Sequence, residues 1–306
     1  MANVEESRFQ VRFWGVRGSY PTPGPQTLRH GGNTSCVEIR AGKHILIFDA
    51  GSGIIGLGSA LMQRIGKQAA CDVSLFITHG HGDHLVGFPF FSPLFDPRTN
   101  LHLFGPQLAG HNIEDLIVPL MSPPYFPVDV RQLPSQRTFH TIVDDQCISW
   151  PQGKPDPSVV PTVEALPSRS ADVPRVLTRF TTSHPLNGAI IYRVEYKGHS
   201  VVYATDVEWS NGIEPSLLEF IDGADLLIHD AQYTTPDYQN EKQGFGHSTV
   251  FMATEVARMA RVKELILFHH EPTYDDDQLD MMEADARVHF AHTRSACEGM
   301  EIDLLA

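Results

Sequence analysis

The stretch I-T-H-G-H-G-D-H-L-V-G, at residues 77–87, carries three histidines and one aspartate within six consecutive residues. Side chains at alternate positions of an extended segment point to the same side, so His79 and His81 can bind one metal ion together. Asp83 and His84 follow where a helix would begin, and can face a second ion. Glycines between them remove side-chain bulk and let the backbone turn tightly. The spacing predicts a metal site; a histidine-rich surface loop without metal is the alternative.

The segments around this cluster show strand and helix patterns in both halves of the chain. Strands are predicted at R-F-Q-V-R-F-W-G, S-C-V-E-I-R, H-I-L-I-F-D-A, D-V-S-L-F-I-T, G-A-I-I-Y-R-V-E-Y, H-S-V-V-Y-A-T-D, A-D-L-L-I-H-D and E-L-I-L-F-H-H. Helices are predicted after the G-S-G turn, from Ser248 or Thr249 onward, and from about Asp276 to Arg294. Residues 91–176 are proline-rich and irregular apart from a helix near residues 111–121, which predicts an insertion or lid. We expect one mixed α and β domain over residues 1–306.

Histidines and aspartates recur at the ends of the predicted strands in the second half. They are Asp206, His229, Asp230, His269 and His270, together with His184 after R-F-T-T-S and His247 in G-F-G-H-S-T. Each alone has an ordinary structural explanation, but their repeated placement at strand ends favours one shared site. Nitrogen and carboxylate ligands suit zinc, with manganese or iron as alternatives.

The charge and composition restrict the partners. The net charge is −14, and the excess acid falls mostly after Asp206. Because proteins that bind long polyanions usually present a basic face, an extended nucleic-acid track is disfavoured. No apolar run approaches the roughly 20 residues that span a bilayer, and the start lacks a secretory signal pattern. The four cysteines lie far apart, so we expect reduced thiols and a cytoplasmic protein.

T-H-G-H-G-D-H resembles the H-x-H-x-D-H signature of the metallo-β-lactamase superfamily. The resemblance implies an α+β fold, a four-layer αββα sandwich with the metal site at one edge of two packed sheets. Further motifs resemble the ribonuclease Z-type phosphodiesterase branch: F-W-G-V-R-G-S-Y-P-T, F-D-A-G-S-G, G-H-S-T, L-F-H-H-E-P, and H-D-A in place of H-E-A. The match covers nearly the whole chain and is weakest over residues 91–176.

The resemblance also implies two divalent cations, with zinc the first choice, and a set of ligands. His79, His81 and His184 would hold one ion, Asp83, His84 and His269 the other, and Asp206 would bridge them. His270 is an alternative to its neighbour His269. Asp49 in F-D-A-G-S-G would orient the ligand side chains by hydrogen bonds without binding metal itself. The alternative is an ordinary carboxylate in a turn.

The predicted chemistry is phosphodiester hydrolysis. Cations in such a site lower the pKa of a bound water and neutralise charge on phosphorus. The leaving alkoxide needs a proton, which His247 could donate with Asp230 orienting its ring. The predicted catalytic residues are therefore His247, Asp230 and Asp83. Two alternatives stay open: an esterase, thioesterase or lactonase on the same scaffold, and a metal-binding or redox module, which the nitrogen-rich ligand set argues against.

The substrate is expected to be small. Transfer-RNA-processing members of the branch carry a long arm between two strands that Lys197 and Gly198 alone connect here. This short connection and the acidic charge favour a cyclic nucleotide or short oligonucleotide over precursor transfer RNA, which is kept as the alternative. No membrane partner is expected, and analogy with the branch suggests a homodimer.

Overall fold

The structure is a computed structural model that describes residues 8–66, 70–107, 110–151, 156–162, 172–185 and 188–306. The segment on which the expected absence of a secretory signal rests lies largely outside the described residues. Within these ranges two mixed sheets pack face to face, and helices cover their outer faces. No helix of the described ranges is long and apolar enough to cross a membrane.

The first sheet contains, near its centre, the strand that leads into the histidine cluster. Its strands are β1 (Phe9–Gly15), β2 (Cys36–Ala41), β3 (His44–Phe48), β4 (Cys71–Phe76), β5 (Thr99–Pro106), β6 (Gln136–Ile142) and, from the end of the chain, β15 (Glu301–Asp303). Their order is β15-β1-β2-β3-β4-β5-β6. The pairs from β3 to β6 are parallel, so the ends of β3 and β4 point to the same edge of the sheet.

The second sheet is built mainly from the second half of the chain. Its strands are β7 (Gln146–Ser149), β8 (Ser158–Pro161), β9 (Arg175–Thr181), β10 (Ala189–Tyr196), β11 (His199–Ala204), β12 (Leu226–Asp230), β13 (Glu264–Phe268) and β14 (Thr293–Ser295). Their order is β14-β13-β12-β11-β10-β9-β7-β8, with β11 to β14 parallel. As predicted, β10 and β11 are joined by a two-residue turn, Lys197–Gly198, in which both residues have positive φ.

The core between the sheets follows from strand alternation. Phe9, Val11 and Phe13 point inward from β1 and are fully buried, while the residues between them lie on the outer face. Phe48, Phe76 and Phe104, in register on β3, β4 and β5, stack with ring centroids 5.1 and 4.7 Å apart. Full burial of one such side chain contributes about 1.5–3 kcal/mol.

Six helices of the described residues cover the sheets. They are α1 (Gly53–Ile65), α2 (Ile113–Leu120), α3 (Pro215–Ile221), α4 (Thr235–Asp237), α5 (Val250–Met259) and α6 (Asp276–His289). Apolar residues of α1 and α2 pack on the first sheet, and those of α3, α5 and α6 on the second. Thr249 caps α5 and Asp275 caps α6, each by accepting a hydrogen bond from a backbone N–H. The four-layer αββα arrangement confirms the predicted fold class.

Two expectations need correction. The described parts of residues 91–176 are not irregular, because they supply β5 and β6 to the first sheet and β7 and β8 to the second. β6 and β8 are edge strands with much of their surface exposed, so their sequences lack a clear apolar alternation. The last helix ends at His289 instead of about Arg294, since residues 293–295 pair with β13 as a strand. Residues 108–109, 152–155 and 163–171 of this segment lie outside the described residues.

Candidate functional site

The predicted ligand residues meet where the ends of the parallel strands of both sheets come together. His79 and His81 follow β4, and Asp83 and His84 lie in the short 3-10 turn after them. The others follow strands of the second sheet: His184 after β9, Asp206 after β11 and His269 after β13. His81 is exposed and the remaining six are buried, so the cluster opens to solvent on one side.

The first group contains His79, His81, His184 and one oxygen of Asp206. His184 Nε2 lies 3.0 Å from His81 Nδ1 and 3.9 Å from Asp206 Oδ1, and His79 Nε2 lies 3.6 Å from the same oxygen. His184 Nδ1 donates to the carbonyl of Gly246 at 2.9 Å, which leaves a lone pair on Nε2. His79 Nε2 is buried without a hydrogen-bond partner. A cation would satisfy that nitrogen.

The second group contains Asp83, His84 and His269, together with the other oxygen of Asp206. The Nε2 atoms of His84 and His269 face each other at 3.3 Å. Asp83 Oδ2 lies 3.3 Å from the first of these nitrogens and 3.1 Å from the second. Asp206 Oδ2 lies 3.1 and 3.4 Å from the same two atoms. The carboxylate of Asp206 therefore lies between the two groups, as a bridging ligand would.

Buried polar groups behind the cluster fix the orientation of the imidazoles. Asp49 accepts hydrogen bonds from His84 Nδ1 at 2.7 Å, from Thr78 N at 2.9 Å and from Tyr203 Oη at 3.0 Å. Gln232 Oε1 accepts from His269 Nδ1 at 3.2 Å. With both Nδ1 atoms donating, the facing Nε2 atoms carry lone pairs, which repel each other unless a cation lies between them. The donor set thus fits divalent metal ions, and its nitrogen and carboxylate composition suits zinc.

The electrostatics agree with a site that requires positive charge. Burial lowers the pKa of His79 well below its ordinary value and also lowers the pKa of His184. Neutral imidazole is the form that binds a metal. Burial acts in the same direction on His84, but the carboxylates of Asp206, Asp83 and Asp49 raise its pKa well above the ordinary value. The three carboxylates therefore favour positive charge at this place, which a bound cation would supply.

His247 and Asp230 form a buried pair at the edge of the cluster. His247 Nδ1 lies 2.7 Å from Asp230 Oδ2, so the shorter side chain at the place of the branch's glutamate still reaches the ring. The ring of His247 stacks on His269 with centroids 4.8 Å apart. Burial alone would lower the pKa of His247, but Asp230 outweighs it and the pKa rises to about 9. A protonated imidazole next to a metal cluster can act as a general acid.

Two histidines that also end strands lie outside the cluster. His229 Nε2 accepts a hydrogen bond from Trp209 Nε1 at 2.8 Å, on the face of the sheet that the helices cover. His270 Nε2 contacts the carbonyl of Ala296 at 3.0 Å and faces away from the ligands. The structure therefore brings His269, and not His270, to the other ligand residues.

Sequence reasoning missed Gln232, Ser19 and Glu208. The backbone N–H of Ser19 donates to Asp83 Oδ2 at 2.8 Å, and Gln232 Nε2 lies 3.2 Å from Ser19 Oγ. Gln232 follows Asp230 by two positions and Glu208 follows Asp206 by two positions. Alternation after a known site residue is the signal that would have found both.

Comparison with known proteins agrees with this geometry. Residues 44–270 match the family model described as beta-lactamase superfamily domain. Ribonuclease Z from Thermoplasma acidophilum is 27% identical, with 97% of each chain covered, and ribonuclease Z from Pyrococcus furiosus is 26% identical, with 87% of each covered.

Solved structures share the fold. The metallo-beta-lactamase fold protein YhfI from Bacillus subtilis superposes with a TM-score of 0.66 at 18% identity, covering 97% of this chain and 99% of that chain. The short form of human tRNase Z gives 0.60 at 23% identity, covering 96% and 98%. Because the family model spans most of the sequence, the chain belongs to the metallo-β-lactamase superfamily, in its ribonuclease Z-like branch, and is a metal-dependent hydrolase.

Proposed function

We propose that the protein is a phosphodiesterase in which His247 protonates the leaving oxygen. The observation that carries the proposal is the buried pair of His247 and Asp230, 2.7 Å apart, beside the ligand cluster. Phosphodiester hydrolysis expels a poor alkoxide leaving group, which a proton donor assists. Esters, thioesters and lactones have less need of such a group, so the pair favours phosphodiesters among the substrates of this scaffold.

The remaining residues would hold two divalent ions, which lower the pKa of attacking water and neutralise charge on the phosphate. His79, His81 and His184 are proposed for one ion, Asp83, His84 and His269 for the other, with Asp206 shared. Asp230 holds the imidazole of His247 by its Nδ1 atom, so Nε2 is the nitrogen that can carry a proton to the substrate. Zinc is proposed because of the donor set.

For the substrate, we infer RNA and specifically a transfer-RNA precursor. The support is that several curated relatives aligned over 87–97% of this chain are named ribonuclease Z. Their names favour the transfer-RNA alternative over the small phosphodiester that the sequence favoured. Small phosphodiesters stay as the second candidate on two observations, the two-residue turn at Lys197–Gly198 and the net charge of −14.

The test compares both substrate classes on one preparation. Metal-loaded protein is incubated with a precursor transfer RNA that carries a 3′ extension, and separately with cyclic nucleotides and dinucleotides. We expect cleavage of the precursor at one position, with a kcat/KM above that of every small substrate. Asp206→Asn, purified identically, controls for contaminating nucleases.

The outcomes separate the candidates. Turnover of small phosphodiesters without site-specific cleavage of the precursor would replace the first candidate by the second. Turnover of esters or lactones alone would overturn the proposed function.

A further inference from the structure

The loop of residues 238–246, which leads into His247, has an unusual and well-anchored backbone. Residues 238–242 form a π-helix, a rare geometry that often occurs at functional sites. Glu208 accepts three hydrogen bonds from the loop: from Tyr238 Oη at 2.6 Å, Gly244 N at 2.8 Å and Gly246 N at 2.8 Å. Because Glu208 is itself buried, these bonds hold the loop in one place against the site.

The same loop forms one wall of the candidate site. The carbonyl of Gly246 accepts the hydrogen bond from His184 Nδ1, and Gly246 has a φ of 90°. A Cβ atom at that position would lie 2.4 Å from His184 Nδ1, so only glycine fits there. The loop backbone is thus in direct contact with the ligand cluster.

On this fixed wall an aromatic ring is exposed to solvent beside a lysine. Phe245, two residues before His247, has 55% of its surface exposed. Lys242 Nζ lies 5.4 Å from the ring centroid of Phe245 and 5.8 Å from that of Tyr233. The ring of Tyr233 lies 5.9 Å from that of His247. Single exposed apolar side chains are common on proteins, but this one combines a held backbone, a neighbouring cation and a position two residues before the proposed acid in the sequence.

We propose that Phe245 and Lys242 form a nucleobase subsite for the leaving side of the substrate. Phe245 would stack on the base of the departing nucleoside, since His247 next to it protonates that nucleoside's oxygen. Lys242, whose ammonium group lies beside the ring, would neutralise the neighbouring phosphate. Stacking of this kind tolerates any base, so the subsite would accept different nucleosides on the leaving side. The subsite rests on the proposed phosphodiesterase function.

The test uses two short RNA substrates that differ only on the leaving side, one with a normal base and one with an abasic ribose. We measure kcat/KM for both with the metal-loaded protein. Wild type should prefer the base-bearing substrate, and Phe245→Ala should reduce that preference by about tenfold. Phe245→Trp should retain it. Phe251→Ala removes another exposed phenylalanine, on α5, and should leave the preference unchanged. Lys242→Gln should lower kcat/KM for both substrates by the same factor.

The failures are distinguishable. If wild type hydrolyses the substrates and Phe245→Ala keeps the full preference, the subsite is wrong while the proposed function stands. If wild type hydrolyses neither RNA nor any nucleotide phosphodiester, the proposed function falls and the subsite with it. Loss of preference in Phe251→Ala as well would show a general effect of surface aromatics and would also overturn the proposal.

Discussion

Asp49, Asp206 and His269 adopt left-handed backbone conformations, with φ of 62°, 56° and 62°, although none of them is glycine. Such conformations cost about 1–3 kcal/mol each, and they persist only where the surroundings hold them. Asp49 and His269 come directly after a strand and Asp206 comes two residues after one, where the chain turns to present each side chain to the cluster. Part of the unfavourable backbone energy therefore lies at residues that set the geometry of the candidate site.

At the scale of one residue, replacement of His247 tests the proton donor. His247→Ala should slow hydrolysis of a substrate with an alkoxide leaving group by about 10²–10⁴-fold, the usual range for loss of general acid help. An aryl phosphodiester should slow far less, because nitrophenolate leaves without a proton. Turnover of both substrates is measured at matched metal content, with Asp230→Asn expected to show the same pattern more weakly.

Two other outcomes for His247→Ala would assign His247 a different role. Equal slowing on both substrates would make His247 a phosphate-binding group. A loss of bound metal would make it a ligand, since its nitrogen lies within 4.8 Å of ligand atoms on Asp206 and His269.

The ligand residues were predictable because their spacing is local and they recur at strand ends. The choice between His269 and His270 was not, since adjacent residues project to opposite sides and only the assembled sheet shows which side holds the site. Gln232 and Glu208 contact residues that are distant from them in the sequence: Gln232 forms a hydrogen bond with His269, and Glu208 forms one with Gly246. Their position two residues after Asp230 and Asp206 marks them as candidates, but only the assembled fold shows which groups they contact.

At the scale of the secondary-structure elements, eight strands were predicted, and the edge strands were missed. β5, β7 and β9 were missed as well, although they pair on both sides, because they lie in or beside the proline-rich segment of residues 91–176. β1, β3 and β4 pair on both sides and carry a run or alternation of apolar residues. β6 and β8 end their sheets, and β14 and β15 have three residues each, too few to show a period. Their places are decided by pairing with distant strands, which the local sequence does not record.

The edge strand β6 carries a histidine whose titration should be measurable. The ring of His140 stacks on Phe104 with centroids 4.4 Å apart, and burial lowers the pKa of His140 to about 4 from the ordinary 6.5. Between these two values the unfolded chain binds the proton more readily than the folded one, so stability falls as the pH falls from about 6.5 to about 4. His140→Phe keeps the stacked ring without the titration.

We therefore expect the melting temperature of His140→Phe to drop less between pH 7 and pH 4.5 than that of wild type, at equal metal loading. His111→Phe, at an exposed position, is the matched control and should behave as wild type does. An equal drop in all three proteins would place the acid sensitivity elsewhere.

At the scale of the whole molecule, metal binding should be coupled to stability. We predict close to two zinc, manganese or iron ions per chain after purification without chelator, because the ligands divide into two groups that share Asp206. Metal that binds only the folded state stabilises it by about 2.7 kcal/mol per site when free metal is roughly 100 times Kd. Chelation should therefore lower the melting temperature. Elemental analysis and thermal unfolding check both statements.

His81→Ala should bind less metal and lose hydrolysis, and chelation should change its melting temperature less than that of wild type. His81 is the exposed ligand, so its replacement leaves the buried core intact and separates metal loss from misfolding. Absence of bound metal in the reconstituted wild type would contradict the whole ligand assignment.

The turn at Lys197–Gly198 lies at the far end of β11 from Asp206, about 20 Å away for six residues of strand. The pairing of β10 with β11 already extends to Tyr196 and His199, the residues on either side of the turn. The pairing therefore does not depend on the length of the turn. The length of this connection can therefore vary without moving any ligand. An insertion at this turn would therefore change the outline of the protein far from the ligands, so the reach of the molecule and the geometry of its candidate site can be engineered separately.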